Sequence, residues 1–220
     1  MRNIISALFL ILVMTMFTVT KSSALEFTIG ISGAESGYGA YAKEKNGATT
    51  PTEEYGAFAD SGASVFAEIK LNDYVAVGLD YVIDTIKSPT NRNVQEDMTT
   101  STTSTNKTND VSAEFSNLTT AYLQLMSPWG IYGKAGFRYV DILTKENLGT
   151  GGSYNDTDTI GYQLALGYQL NAGEGFFIRA EVSGSAYDDV DGSNTTDSAK
   201  TIHVTDMISA SYGLSIGKTF

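Results

Sequence analysis

Apolar and polar residues alternate with a period of two along most of the chain after residue 25. The clearest stretch is residues 159–170, TIGYQLALGYQL, in which Ile160, Leu164 and Leu170 share one face with Gly161 and Gln163 opposite. Seven further stretches repeat the pattern: LEFTIGIS, SVFAEIKL, YVAVGLDYVID, TAYLQLM, IYGKAGFRYV, FFIRAEVSGS and the final ISASYGLSIGKTF. Because successive side chains of a strand point to opposite faces, the pattern predicts eight β-strands.

The connections between these strands alternate in length. Short segments with turn residues lie at Asn72-Asp73, at SPWG (127–130) and at NAGEG (171–175). Long polar segments lie at residues 36–57, 87–111, 144–158 and 188–203, and the second contains a Ser/Thr-rich tract (99–110) typical of a solvated loop. Short turns at one end and long loops at the other are typical of a transmembrane β-barrel, and an even strand number closes it without a free edge.

The first 24 residues have a different pattern. Arg2 precedes an uncharged run from Ile4 to Val19, and Lys21 is followed by the small residues SSA ending at Ala24. This is the pattern of a secretory signal peptide, with a membrane anchor as the alternative. We therefore expect residues 1–24 to be a signal peptide cleaved after Ala24, and residues 25–220 to form the barrel.

Composition excludes several kinds of function. The chain has no Cys and one His, so neither disulfides nor multi-histidine metal sites are expected. Its net charge of −11 argues against nucleic acid, which requires a basic surface. His203 has acidic residues and Ser193 nearby in sequence, but a single loop histidine is weak support for catalysis. We expect no enzyme activity, no catalytic residue, no metal site and no cofactor.

Charged residues within the strands fall almost entirely on the face opposite the apolar one. A soluble sheet also alternates, but a lipid-facing Lys or Arg at the membrane midplane costs roughly 2–4 kcal/mol, and the apolar positions of these stretches carry none. An eight-stranded barrel is just wide enough for side chains to fill. We therefore predict that a salt-bridge network plugs the lumen, with Asp80 and Arg138 about one layer further from the short turns. Its members are Glu68, Asp80, Lys134, Arg138, Arg179 and Glu181.

Aromatic residues fall near the predicted strand ends, where the two membrane interfaces would lie. The predicted interface aromatics are Phe27, Trp129, Tyr168 and Phe176 near the short turns, and Tyr81, Tyr139 and Tyr162 towards the long loops. The chain also ends on an aromatic, Phe220, at the short-turn side.

This combination of signal peptide, eight amphipathic strands, alternating connections and terminal Phe resembles the small outer-membrane β-barrels of Gram-negative bacteria, the group of the OmpA transmembrane domain, OmpX and the opacity-type surface proteins. The resemblance implies that the barrel-assembly machinery recognises the last strand. The matching positions are Tyr212, Leu214, Ile216 and Phe220. One departure is Lys218, where many members carry an apolar residue; at the rim its stem can lie on apolar surface while the ammonium reaches water.

The predicted fold class is therefore all-β: an eight-stranded antiparallel up-and-down transmembrane β-barrel with short periplasmic turns and long extracellular loops, in the bacterial outer membrane. The expected partners are outer-membrane lipid, the assembly machinery and an unidentified extracellular partner of the loops. The favoured function is to anchor surface-exposed loops, with a plugged lumen. The first alternative is a narrow porin or a transporter for small solutes. The second is a soluble exported β-barrel or sandwich that binds a ligand.

Overall fold

The computed structural model describes residues 25–46, 52–100, 103–149 and 153–220, and regular structure in them consists of β-strands. Residues 1–24, where the signal peptide is predicted, lie outside the described residues. No helix in the described part of the chain is long and apolar enough to cross a membrane. The strands are β1 (Glu26–Asn46), β2 (Thr52–Lys70), β3 (Val75–Val82), β4 (Ile86–Lys87), β5 (Asn91–Thr100), β6 (Thr103–Met126), β7 (Ile131–Leu148), β8 (Thr157–Gly173), β9 (Phe176–Tyr187), β10 (Val190–Ser193) and β11 (Lys200–Thr219).

Eight of these strands form a closed antiparallel ring in the order β1-β2-β3-β6-β7-β8-β9-β11, and β11 pairs back onto β1. The closing pair has Ile31 opposite Ile216 and Thr28 opposite Thr219. The short strands β4 and β5 continue along β6, and β10 continues along β11. The predicted eight-stranded up-and-down architecture is confirmed, and the pairing of β11 with β1 closes the ring.

The two faces of the wall separate by polarity as the alternation predicts. Large apolar side chains cover the outside of the ring, among them Leu164, Leu214 and Ile178, which are all exposed. A continuous exposed apolar band of this kind fits contact with lipid rather than water. Glu35 of β1 also points outward, directly opposite Tyr212 of β11 and away from the short turns.

Two of the three short connections depend on glycine. Gly130 and Gly175 have φ of +86° and +81°, a region that other residues avoid. A Cβ at either position would also collide with a backbone oxygen of a neighbouring strand, that of Gln169 or Thr219. These turns are therefore tight in space as well as in backbone conformation.

The strands extend further than predicted, into all four long connections. β1 runs to Asn46 and β2 starts at Thr52, so most of segment 36–57 is paired strand rather than loop. The Ser/Thr-rich tract likewise lies largely in β5 and β6. Cross-strand pairing satisfies the backbone polar groups regardless of side-chain polarity, so strands can continue into water. The predicted long loops are thus mostly paired β-strand.

The wall is interrupted on one side. β2 pairs with β3 only as far as Ser64 opposite Val82, and β5 pairs with β6 rather than with β2. Carboxylates replace some of the missing ladder bonds: Asp84 accepts the N–H of Ala63 at 2.6 Å, and Asp60 accepts the N–H of Lys87 at 2.9 Å. The extracellular part of β2 is therefore held to the next strands mainly by side chains.

Candidate functional site

A buried ion pair crosses the lumen near the short turns. Arg179 donates from Nη1 and Nη2 to the two carboxylate oxygens of Glu68, at 2.6 and 2.8 Å, and both side chains are almost wholly buried. Its Nε donates to Gln169 at 2.8 Å, and the Tyr122 hydroxyl donates to Glu68 at 2.8 Å. Such two-pronged, fully hydrogen-bonded geometry is what allows a charge pair to remain buried.

A second pair lies beside the first. Lys134 Nζ is 2.8 Å from Glu181, which also accepts a hydrogen bond of 2.9 Å from the Tyr132 hydroxyl. The ammonium of Lys134 lies 4.6 Å from the ring centroid of Tyr122 and 5.4 Å from that of Tyr132. These cation–π contacts join the two ion pairs through the tyrosines into one cluster.

Aromatic side chains fill the rest of this cross-section by lying over glycines of the adjacent strands. Four directly opposed cross-strand pairs share this arrangement: Gly30 with Phe66, Gly78 with Tyr122, Gly167 with Tyr132, and Gly217 with Phe177. A Cβ at any of the four glycines would meet the opposing ring closer than real Cβ contacts allow. The guanidinium of Arg179 lies 4.4 Å from the Phe177 centroid. We call the two ion pairs, the three polar residues bonded to them and these rings the plug.

The plug contains four of the six predicted lumen charges, Glu68, Lys134, Arg179 and Glu181. The other two do not join it. The Ser64 hydroxyl donates to Asp80 at 2.9 Å, and Arg138 donates to Ser185 at 3.0 Å and to the Tyr187 hydroxyl at 3.4 Å.

Neither Asp80 nor Arg138 forms an ion pair with another described residue, which corrects the predicted network. The residues directly opposite Arg138 are Thr120 and Gly161, which are both neutral, so an ion pair would need a carboxylate that reaches it across the lumen as Glu68 reaches Arg179. The described residues bring no carboxylate into such contact with Arg138.

A chamber of about 960 Å³ occupies the extracellular half of the interior. Leu118, Val140, Ile142 and Met207 form a buried apolar cluster beside it. The rings of Tyr38, Phe58 and Phe115 also line it and stack on one another, with centroids 5.0–6.2 Å apart. The sequence analysis did not predict this chamber.

The rim of the chamber is polar and is tied across the barrel by Tyr154. Its N–H donates to Glu146 at 2.8 Å, its hydroxyl donates to Glu44 at 3.3 Å, and its backbone pairs with Asn194. Burial, together with the nearby Glu44 carboxylate, raises the pKa of Tyr154 to about 12. Burial also raises the pKa of Glu146. The tyrosine therefore stays neutral and keeps donating at physiological pH.

The family model of the outer membrane protein beta-barrel domain matches residues 7–205, most of the chain. The chain belongs to this family. The match decides between a membrane barrel and the soluble alternative in favour of the barrel, and it indicates the bacterial outer membrane as the location.

Solved structures of small outer-membrane proteins are similar to this family member. OprG from Pseudomonas aeruginosa is 17% identical with a TM-score of 0.53, over 88% of this chain and 96% of that one. Neisserial surface protein A is 14% identical with a TM-score of 0.41, over 88% and 97%. The protease OmpT from Escherichia coli is 8% identical with a TM-score of 0.48, over 92% and 100%. At these identities the similarity to OprG shows the fold alone. No curated protein sequence matches significantly.

The predicted interface aromatics lie on the outside of the wall, some at the short turns and others further along the strands. Trp129 and Phe176 lie at short turns, and Tyr81 and Tyr162 lie further along their strands, all exposed on the outside. Phe27, Tyr139 and Tyr168 take the same outward face, the first two half-buried. Their depth in lipid stays a prediction. On the last strand, Tyr212, Leu214, Ile216 and Phe220 are exposed and outward, and the Lys218 ammonium lies 4.6 Å from the Phe176 ring centroid and 5.1 Å from that of Phe220.

The single histidine lies on the extracellular hairpin of β10 and β11. Its Nδ1 is 2.7 Å from Asp191, and its Nε2 is 4.0 Å from Asp189. The described residues hold no group of three His, Cys, Asp or Glu side chains arranged to bind a metal.

Sequence reasoning missed Tyr122, Tyr132 and Gln169 as plug members; the available signal was their place on the inward face.

Proposed function

We propose that this barrel is a non-conducting anchor that holds extracellular β-hairpins at the bacterial surface, and that it has no catalytic activity. The observation that carries the proposal is the Glu68–Arg179 pair, which spans the lumen and is almost wholly buried among the rings of the plug. A continuous water path would require these charges and rings to separate. The hairpins of β1–β2 and β5–β6–β7 form the extracellular surface that would meet a partner outside the cell.

The proposal includes the route to the membrane. Export would remove residues 1–24 after Ala24, and the barrel-assembly machinery would recognise the last strand through Tyr212, Leu214, Ile216 and Phe220. The outward face of this strand, apolar at these four positions, supports that role.

Electrical conductance tests the plug. The purified barrel in planar lipid bilayers is expected to give no stable large channels, whereas the double variant Glu68→Ala/Arg179→Ala is expected to conduct because it removes the pair that spans the lumen. The matched control is the exposed pair Lys43–Glu53 on the extracellular hairpin, replaced by alanine in the same way. Stable large channels from the unaltered barrel would contradict the proposal.

The chamber favours a second candidate, the binding of small apolar molecules from the extracellular side. Its volume of about 960 Å³ lies within the range of small-molecule sites, and its walls are largely apolar. An environment-sensitive apolar dye, N-phenyl-1-naphthylamine, is expected to bind the barrel in nanodiscs. Val204→Phe, which adds bulk at the chamber wall, is expected to reduce dye binding, and Val94→Phe on the exposed face of β5 to leave it unchanged. Equal dye binding by all three would argue against the chamber as the site.

A further inference from the structure

Arg138 differs from Lys134 and Arg179, the two cations of the plug. Lys134 and Arg179 each lie within 3 Å of a carboxylate, whereas the hydrogen bonds of Arg138 go to the neutral hydroxyls of Ser185 and Tyr187. Its Nε has no hydrogen-bond partner among the residues that the structure describes, although Arg138 is only 8% exposed. Burying a cation without a contacting anion is unfavourable, so this position is suited to receiving one.

Other polar atoms around Arg138 also lack a hydrogen-bond partner in the described ranges. Thr120 lies directly opposite Arg138 on β6, and Ser209 lies directly opposite Ser185 on β11. Both side chains are buried, and the hydroxyl oxygen of each makes no hydrogen bond within the described part of the chain. Buried polar groups are normally satisfied, so a layer with three such atoms has capacity for a polar ligand group.

This polar layer does not itself line the chamber but adjoins it, one layer of inward residues closer to the short turns. On three strands, the next residue on the same face is one of the buried apolar residues beside the chamber. The three pairs are Thr120 with Leu118, Arg138 with Val140, and Ser209 with Met207. Two residues along a strand span roughly 7 Å. Tyr187 connects the levels, because it lines the chamber and its hydroxyl contacts Arg138.

We propose that the chamber binds an amphipathic carboxylate of the medium-chain fatty-acid type, with its carboxylate at Arg138 and its tail along the apolar wall. A guanidinium matches a carboxylate in shape and charge through two parallel hydrogen bonds. The present bond to Tyr187 is long, at 3.4 Å, so it is weak enough for a ligand oxygen to replace it. The proposal rests on the second candidate function and specifies its ligand.

The test compares decanoate with decanol, which has the same chain length but no charge. Each is titrated calorimetrically into the full barrel in nanodiscs, and the heat of partition into protein-free nanodiscs is subtracted. Decanoate is expected to bind the unaltered barrel about tenfold more tightly than Arg138→Gln, the difference of one lost charge-assisted contact. Decanol is expected to bind both equally. Arg92→Gln removes an exposed guanidinium on β5 and serves as the control, with decanoate affinity unchanged.

Arg138→Lys keeps the positive charge but loses the planar guanidinium that can donate two parallel hydrogen bonds. Its decanoate affinity is therefore expected to fall between those of the unaltered barrel and Arg138→Gln. It also provides the comparison if Arg138→Gln fails to fold, which heat-modifiable gel mobility reports. Equal decanoate affinity of the unaltered barrel and the Arg138 variants would overturn the proposal. If decanol still bound in that case, the chamber would remain supported as a binding site for apolar molecules. Absence of binding by both ligands would overturn this proposal and the second candidate together.

Discussion

Replacement of Glu68 by Gln is the most direct test of the plug. The change keeps the size of the side chain but removes the charge that Arg179 contacts through two hydrogen bonds. Gln offers one acceptor oxygen where Glu offers two, and its amide group would point donors at a guanidinium that carries only donors. The variant therefore leaves a buried cation without its counter-charge.

The expected loss in the free energy of unfolding follows from the burial of the pair. Glu68 is 0% and Arg179 1% exposed in their side chains, so water cannot replace the lost partner. Removing one member of a buried, fully bonded pair costs about 3–5 kcal/mol of the free energy of unfolding. The exposed Lys43–Glu53 pair has a similar N–O distance of 2.9 Å, but exposed pairs contribute about 0–1 kcal/mol. Glu53→Gln is thus a matched control of the same chemistry.

The assay is denaturant-induced unfolding of the barrel in lipid vesicles, followed by the fluorescence of Trp129, the single tryptophan. The double variant Glu68→Met/Arg179→Met removes both charges together. Replacing a buried ion pair by apolar residues of similar size is often close to neutral for stability. We expect the double variant to be more stable than Glu68→Gln alone. If Glu68→Gln unfolds at the same midpoint as Glu53→Gln, the pair is not buried as the structure shows it and the reasoning is refuted.

Three further substitutions test separate parts of the structure. Gly78→Ala is expected to destabilise the barrel by about 1–3 kcal/mol in the same assay, because its Cβ would lie 2.6 Å from the Tyr122 ring; unchanged stability would mean that the ring can move aside. Asp84→Ala removes the acceptor of the Ala63 N–H and is expected to accelerate hydrogen exchange of that amide relative to Asp84→Asn; equal exchange rates would contradict the bond. Phe220→Ala is expected to lower the amount of folded barrel at the cell surface while changing the unfolding midpoint of the purified protein by less than Glu68→Gln does; normal surface levels would remove the proposed assembly role.

Alternation and loop spacing were sufficient to predict the closed ring, because both depend on local geometry. Period two places Leu164 outside and Gln163 inside whatever strand lies next to them. The extent of the strands was less predictable, because polar segments such as residues 103–110 lack the apolar alternation of a half-buried strand, although their threonines are compatible with one. They extend because a paired neighbour holds their backbone, and that neighbour lies on another strand.

Charge pairing was partly predictable, since it depends on which residues end up opposite one another. Glu68 and Arg179 are joined across the lumen by long side chains that tolerate small differences in height. Arg138 has neutral neighbours on both adjacent strands, Thr120 and Gly161. Predicting that would have required the register of both pairings, and the sequence reports register only through turns and total strand length.

The dependence on strand register also explains why the sequence alone did not reveal the role of the glycines in the plug. The role of Gly78 becomes visible only once Tyr122 is known to lie directly opposite it. If the pairing of β3 with β6 were shifted by two residues, both side chains would stay on the inner face. The Tyr122 ring would then lie against Ala76 or Asp80. The ring then would have no space beneath it, and its hydroxyl would no longer reach Glu68. Register, set at the short turns, therefore decides whether the lumen closes. Above the plug, β2 lacks β3 as a ladder partner, and there the interior remains wide enough to hold a chamber.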